Sequence, residues 1–229
     1  MSRGLYIKEK RSFNFAGLIF WTIFIALLLA SGWYGYRFYT KGEVPPIPIP
    51  VKAAMNPTVD ESSVHDDAKN QHKVQSSYPR FLSIDSLGVK NSRVFAMGVK
   101  ETGELDTPPN IFDTGWHQDS ALPGEGGGAL LMDGHNGGPT RDGVFKQLPS
   151  LKIGSDIVIE RGDGHKFIYR AKRVEVVSLE SLNSGGMSKL TKSINQNTQG
   201  LNIISCTGNW IPAQQTYDKR VVVQAELIK

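Results

Sequence analysis

Three side chains in this sequence carry chemistry that none of them could perform alone. Cys206, the one cysteine of the chain, follows the apolar run Leu201-Asn202-Ile203-Ile204-Ser205, while His135 comes just after Ala129-Leu130-Leu131-Met132. Arg220 opens the last apolar run, Val221-Val222-Val223. A thiol with a pKa of about 8.5 is only about 3% thiolate at neutral pH, so a nucleophilic cysteine needs an imidazole or a cation beside it. An arginine within reach would hold an oxyanion or orient a carbonyl through charge-assisted hydrogen bonds. Together the three would support acyl transfer through a thioester. Each also has a plainer reading: a packed core thiol, a histidine capping a turn, an arginine on the surface. An exposed thiol outside the cytoplasm would be an oxidation liability without a purpose, which favours a working role for Cys206.

Composition narrows the remaining choices. One cysteine excludes an intramolecular disulfide and every multi-cysteine zinc or iron–sulfur site. With 229 residues, 39% hydrophobic and 21% charged, the chain is an ordinary globular protein of one or two domains. The net charge is +4 and its Lys and Arg residues form only short pairs such as Lys10-Arg11 and Lys219-Arg220, so no nucleic-acid partner is expected. Glycine gathers in Pro123-Gly124-Glu125-Gly126-Gly127-Gly128 and in Asp133-Gly134-His135-Asn136-Gly137-Gly138. No GxxxxGK[ST] pattern and no long helix follow, so these are turns rather than a phosphate cradle. No cofactor or metal is expected, and Glu101, Glu104, Glu175 and Glu180 are taken as solvated carboxylates rather than calcium ligands.

The elements that must position the three residues begin with an apolar segment. Residues 12–36 contain no charged side chain and include Phe15, Leu18, Ile19, Phe20, Ile23, Phe24, Ile25, Leu27, Leu28 and Leu29. These ten favour insertion into a bilayer by roughly 3–6 kcal/mol. Arg3, Lys8, Lys10 and Arg11 precede the segment and only Arg37 and Lys41 closely follow it, so residues 1–11 are expected in the cytoplasm and the remainder outside. The rival is a signal peptide cleaved near Ala30-Ser31-Gly32, but the length of the run and its aromatic exit (Trp33, Tyr34, Tyr36, Tyr39) favour a single-pass plasma-membrane anchor. Residues 37–78 are expected to be a stalk, extended through Val44-Pro45-Pro46-Ile47-Pro48-Ile49-Pro50 and then polar, with His65 and His72 in solvent.

Residues 79–229 form the domain. Apolar runs at 81–84, 93–97, 129–132, 156–160, 165–170, 173–177, 201–205 and 220–228 alternate with turn residues, and Arg161-Gly162-Asp163-Gly164 marks a hairpin. Brief helices are expected at 144–148 and 188–194. About eight short strands predict a mainly β, closed or nearly closed barrel, with Cys206, His135 and Arg220 at strand ends around its rim.

The contexts of these residues resemble a known family. Ala129-Leu130-Leu131-Met132-Asp133-Gly134-His135, Val144-Phe145-Lys146-Gln147-Leu148 and Leu151-Lys152-Ile153-Gly154-Ser155-Asp156 look like the sortase succession of strand, Gly-His, "F..L" and "L..GD". Leu201 to Cys206 is similar to the sortase strand ending in Thr-Cys, and Tyr217-Asp218-Lys219-Arg220-Val221-Val222-Val223-Gln224-Ala225 to its arginine-bearing last strand. Gly103, Pro108, Gly115-Trp116-His117 and Pro123-Gly124-Glu125 are similar to the run before the histidine in the class E and F branches. The resemblance covers about residues 79–229.

It implies a sortase-type barrel and a membrane-anchored cysteine transpeptidase. Cys206 would attack a backbone carbonyl in a C-terminal sorting signal of the LPxTG kind, forming a thioacyl-enzyme. His135 would protonate the leaving amine and later deprotonate the incoming one, and Arg220 would steady the oxyanion and the signal. Partners would be secreted proteins carrying the signal and an amine from a cell-wall precursor or a pilin. Ser205 stands where the family usually has Thr and would keep a hydroxyl for substrate, and Trp210, with Asn209, would border the substrate groove. Asp133, two residues before His135, departs from the family pattern and is expected to face solvent. His117 lacks the strand-Gly-His context. L,D-transpeptidases resemble a tight Ser-x-Gly-Cys-x-Arg cluster that is missing here, and papain-like enzymes place cysteine before histidine. The rival outside catalysis is a membrane-tethered β-barrel adhesin or scaffold with a packed, structural Cys206.

Overall fold

A computed structural model describes residues 15–46, 59–101, 103–186 and 189–228. The expected cytoplasmic tail (1–11), the first residues of the anchor (12–14) and residues 47–58 of the expected stalk lie outside the described residues.

Eight strands close into one barrel. They are β1 (Pro79–Ile84), β2 (Val89–Met97), β3 (Thr114–His117), β4 (Ala129–Gly134), β5 (Asp156–Arg161), β6 (Lys166–Ser178), β7 (Gly200–Ile211) and β8 (Thr216–Leu227), in the order β1-β2-β3-β4-β7-β8-β6-β5. β2 with β3 and β4 with β7 are parallel pairs, and the other neighbours are antiparallel. The hairpin signal at 161–164 joins β5 to β6 as expected. The two runs expected at 165–170 and 173–177 form one strand, kinked by a register shift between Ala171 and Arg173.

The core follows from the two-residue period of a strand. Leu130 and Met132 of β4, Leu201 and Ile203 of β7, and Val221, Val223 and Ala225 of β8 point inward, with Trp116, Phe145, Ile157, Ile159 and Tyr169. The alternate residues Leu131, Ile204 and Val222 form a second apolar cluster on the outside of the wall, covered by Leu182 and Leu190. Those strands are therefore apolar on both faces over part of their length. The glycine run before β4 is turn structure, tied by Gln199, whose Nε2 donates to the carbonyls of Leu122 (2.7 Å) and Glu125 (3.1 Å).

Three expectations are corrected. Residues 144–147 form a turn leading into a short 3-10 helix, Leu148–Ser150, with Pro149 in its first turn. Of residues 188–194, the described ones form turns. The segment 59–78 is packed on the barrel rather than standing as a solvated stalk. Asp60 pairs with Asn110, its N–H donating to the Pro109 carbonyl (2.9 Å) and its carbonyl accepting from Ile111 (2.9 Å). Glu61 caps the turn after His135, accepting from the backbone N–H groups of Thr140 (2.9 Å) and Arg141 (3.0 Å). After the short helix α2 (Asp66–Gln71), His72 places Nε2 2.9 Å from the Val94 carbonyl and packs on the Phe81 and Phe95 rings. Its ring is therefore half-buried, whereas His65 is exposed.

Helix α1 (Phe15–Lys41) has 27 residues, about 40 Å at 1.5 Å per residue, and exposes its apolar side chains. It is long and apolar enough to cross a membrane. Its last turn touches the β7–β8 hairpin. Gly42, at φ +66°, is buried against the Trp210 carbonyl, where a Cβ would come within 2.2 Å. Only glycine fits that backbone angle and that approach.

Candidate active site

The strand register sets two of the singled-out residues against each other and brings the strand that leads into the third alongside. Cys206 of β7 lies directly across from Arg220 of β8. On the other side of β7, Gly134 pairs in parallel with Ser205, the last pair of that ladder, and His135 follows it as Cys206 follows on β7; His135 is not among the residues lining the Cys206 cavity. Because Gly134 and Ser205 face inward, His135 and Cys206 face outward, as does Arg220 next to inward-facing Val221. The expectation of a barrel rim is thus refined. β7 runs on to Ile211 and β8 begins at Thr216, so Cys206 and Arg220 sit within a hairpin that continues past the barrel wall.

Cys206 is partly exposed and lines a cavity of about 250 Å³ together with Asn136, Lys146, Thr207, Asn209, Trp210 and Tyr217. It is therefore not the sealed core thiol of the scaffold reading. Burial pushes its pKa up, the positive charge of Arg220 pulls it back, and the Asp133 carboxylate adds a smaller upward push. His135 is shifted the other way, lowered by desolvation, with a smaller opposing contribution from its bond to the Pro108 carbonyl. That contact, Nε2 to carbonyl oxygen at 2.8 Å, also sets the tautomer. A carbonyl only accepts, so Nε2 carries the proton and Nδ1 is left as the basic nitrogen.

Arg220 is anchored on its own hairpin. Nη1 donates to the carbonyls of Tyr217 (2.8 Å) and Lys219 (2.9 Å), and Nη2 donates to Thr216 Oγ1 (2.8 Å). These bonds fix the guanidinium beside Cys206 at little further entropic cost.

Ser205 is placed differently from the expectation. It is buried on the inward face, and its hydroxyl donates to the Gly134 carbonyl at 2.7 Å. The alternation of the strand turns it away from any substrate beside Cys206, and its hydroxyl ties β7 to β4. Trp210 does wall the cavity, with its ring edge-on to Tyr217 (5.4 Å between centroids). His117 closes β3 away from Cys206, beside Asp133, with its Nδ1 buried. Asp133 is only partly in solvent. It lies over Gly115, its directly opposed partner in β3, and accepts from Thr107 Oγ1 at 2.7 Å. Desolvation pushes its pKa up to about 7.

Sequence reasoning missed Asn136 and Tyr217. The Asn136 side chain hydrogen-bonds to the Tyr217 hydroxyl, which burial shifts upward. Asn136 directly follows His135 and Tyr217 lies three residues before Arg220, so both were within reach of the motifs. Gly42 and Val44, which also line the cavity, carry no local signal that they would return to it.

An outward-facing thiol thus lies across from a guanidinium on the adjoining strand of a closed barrel, with a histidine just past the strand on its other side. The sortase domain model matches residues 82–228, nearly two thirds of the chain, and the chain belongs to the sortase family. It is a cysteine transpeptidase with the sortase fold. Among solved structures it is similar to a sortase D5 transpeptidase of Clostridium perfringens (18% identity over 72% of this chain and 90% of that one, TM-score 0.46). It is also similar to sortase C2 of pilus island 1 from group B Streptococcus (21%, 76% and 88%, TM-score 0.49) and to the SrtA sortase of Actinomyces oris (15%, 68% and 84%, TM-score 0.48). No curated protein matches the chain.

Proposed function

We propose that this sortase cleaves a C-terminal sorting signal of the LPxTG kind and passes the acyl group to an amine of a cell-wall precursor or a pilin. Cys206 is the nucleophile, His135 the general acid and base, and Arg220 the donor to the oxyanion. The observation that supports this reading is the register itself, in which Cys206 pairs with Arg220 and follows the Gly134–Ser205 pair that leads into His135.

The opposed shifts of thiol and imidazole bear on the chemistry. Burial disfavours both charged forms, so the resting pair is mainly neutral thiol and neutral imidazole. As sulfur attacks the scissile carbonyl, its proton passes to the imidazole, and the bond from Nε2–H to Pro108 steadies the imidazolium. The tetrahedral oxyanion accepts from Arg220. Collapse expels the amine, which takes the proton from His135 and leaves a thioester on Cys206. An incoming amine gives a proton back to His135 and attacks the thioester, restoring the thiol.

Trp210 and Tyr217 supply an apolar wall for the signal's side chains. Helix α1 is the anchor, with the N-terminus in the cytoplasm and the barrel outside the plasma membrane, as the basic residues before the helix favour. The class E or F branch rests on the motif at 115–117 and 123–125. The test is the full chain in detergent micelles, incubated with LPxTG-type peptides and a small amine and followed by mass spectrometry. A thioester intermediate and an amide product are expected from the parent chain and from neither Cys206→Ala nor His135→Ala. Undiminished turnover by Cys206→Ala rejects the assignment.

A further inference from the structure

Asp133 and Thr107 have no part in the mechanism, yet a short covalent path joins them to His135. Thr107 Oγ1 donates to Asp133 Oδ2 (2.7 Å), and the next residue, Pro108, holds His135 Nε2 through its carbonyl (2.8 Å). The far end of the same segment is also clamped, because Asn110 Nδ2 donates to Asp60 Oδ2 (3.0 Å) and to the Ser62 carbonyl (2.9 Å). The Pro108 carbonyl is thus suspended between two side-chain anchors, and Asp133 is the one on the strand that leads into His135.

The site around Asp133 is built for a carboxyl group. A Cβ on Gly115 would come within 2.1 Å of Asp133 Oδ1, so the glycine opposite is what lets the carboxyl lie flat across β3. Met97 of β2, His117 of β3 and Leu131 of β4 enclose it, while Asp106 and Lys100 of the β2–β3 connection face it with opposite charges. Desolvation raises its pKa to about 7, a cost the fold carries to keep the carboxyl here. A solvent-facing loop residue would do without it.

We propose that Asp133 is a positioning residue. By accepting from Thr107 it fixes the 107–108 peptide, so that the Pro108 carbonyl holds the His135 ring in the orientation and tautomer that acyl transfer uses. The proposal rests on the transpeptidase reading of His135, but it acts on the ring itself and is measurable without a substrate.

The experiment uses full-length protein in micelles with ¹⁵N-labelled histidine, the His135 signals being assigned by their loss in His135→Ala. In the parent chain His135 titrates below an ordinary imidazole and is an Nε2–H tautomer. Asp133→Ala is expected to lower the ring's pKa further, because the Pro108 acceptor that opposes desolvation is loosened, and to mix its tautomers. In the peptide-transfer assay kcat should fall roughly tenfold or more with KM within about twofold, because orientation and not ground-state binding is lost. Asp133→Asn keeps an acceptor for Thr107 and should restore most of both readouts. Thr107→Val, which leaves the carboxyl in place, should reproduce the alanine effect.

An unchanged ring titration in folded Asp133→Ala or in Thr107→Val overturns the proposal. Equal losses in the Asn and Ala variants with Thr107→Val unaffected also overturn it, since they would assign the effect to the charge. If the parent chain transfers no peptide, the transpeptidase reading fails by itself, and the ring titration still decides the role of Asp133.

Discussion

The inner and outer faces of β4, β7 and β8 are made from alternate residues of the same three strands, and they do opposite jobs. Inside stand Leu130, Met132, Leu201, Ile203, Ser205, Val221 and Val223; outside, beyond the apolar patch of Leu131, Ile204 and Val222, stand Asp133, His135, Cys206 and Arg220. The strand period separates them so sharply that Ser205 and Cys206, neighbours in sequence, share no task. Chemistry can therefore change on one face without repacking the other, and the two faces should respond to mutation in different observables.

The strongest test of that separation is Cys206→Ala. Acyl transfer should fall roughly 10³-fold or more while the melting temperature holds, as read by mass spectrometry and calorimetry. Ile203→Ala, three residues earlier on the inner face, should do the reverse. It should lose about 2–5 kcal/mol of stability in denaturant titration and keep its turnover per folded molecule. A fall in turnover with stability intact would break the comparison.

Ser205→Ala sharpens it further, since this residue was expected at the substrate. Losing the buried bond to Gly134 should cost about 1 kcal/mol in the same titration and leave KM for the peptide unchanged. A raised KM at unchanged stability would return Ser205 to the site.

The smallest expected effect is a pH shift on the outer face. Only thiolate reacts with iodoacetamide, and burial disfavours it, so the alkylation midpoint of Cys206 should lie above that of an ordinary thiol. The Arg220 guanidinium favours the thiolate, so Arg220→Ala should move the midpoint higher still. A downward move would show that Arg220 does not act on the sulfur.

The same contrast explains what could be read from the sequence. Strands, the hairpin at 161–164 and the inward apolar pattern were legible because period-two alternation and turn residues are local signals. Cys206, His135 and Arg220 stand out through the motifs around them, and the pairing of Cys206 with Arg220 adds a geometric reason to test them. The place of Ser205 was not legible, because a neighbour of a reactive residue in sequence faces the other side of a strand. Asp133 was misjudged because its burial depends on Gly115 and Thr107, both distant in sequence, and His72 because polar composition conceals a ring packed on Phe81 and Phe95. The attachment of 59–78 rests on side-chain capping by Asp60 and Glu61, which leaves no hydrophobic period to detect.

Past Cys206, β7 and β8 have only each other, since β4 ends its pairing at Ser205 and β6 at Lys219. Two strands by themselves are marginal in water, and what leans on their far end is the exit of α1, through Gly42 against Trp210. Trimming the apolar N-terminus to obtain a soluble fragment would therefore knock away a buttress from the floor of the cavity. Kinetics measured on such a fragment would describe a looser enzyme than the full chain.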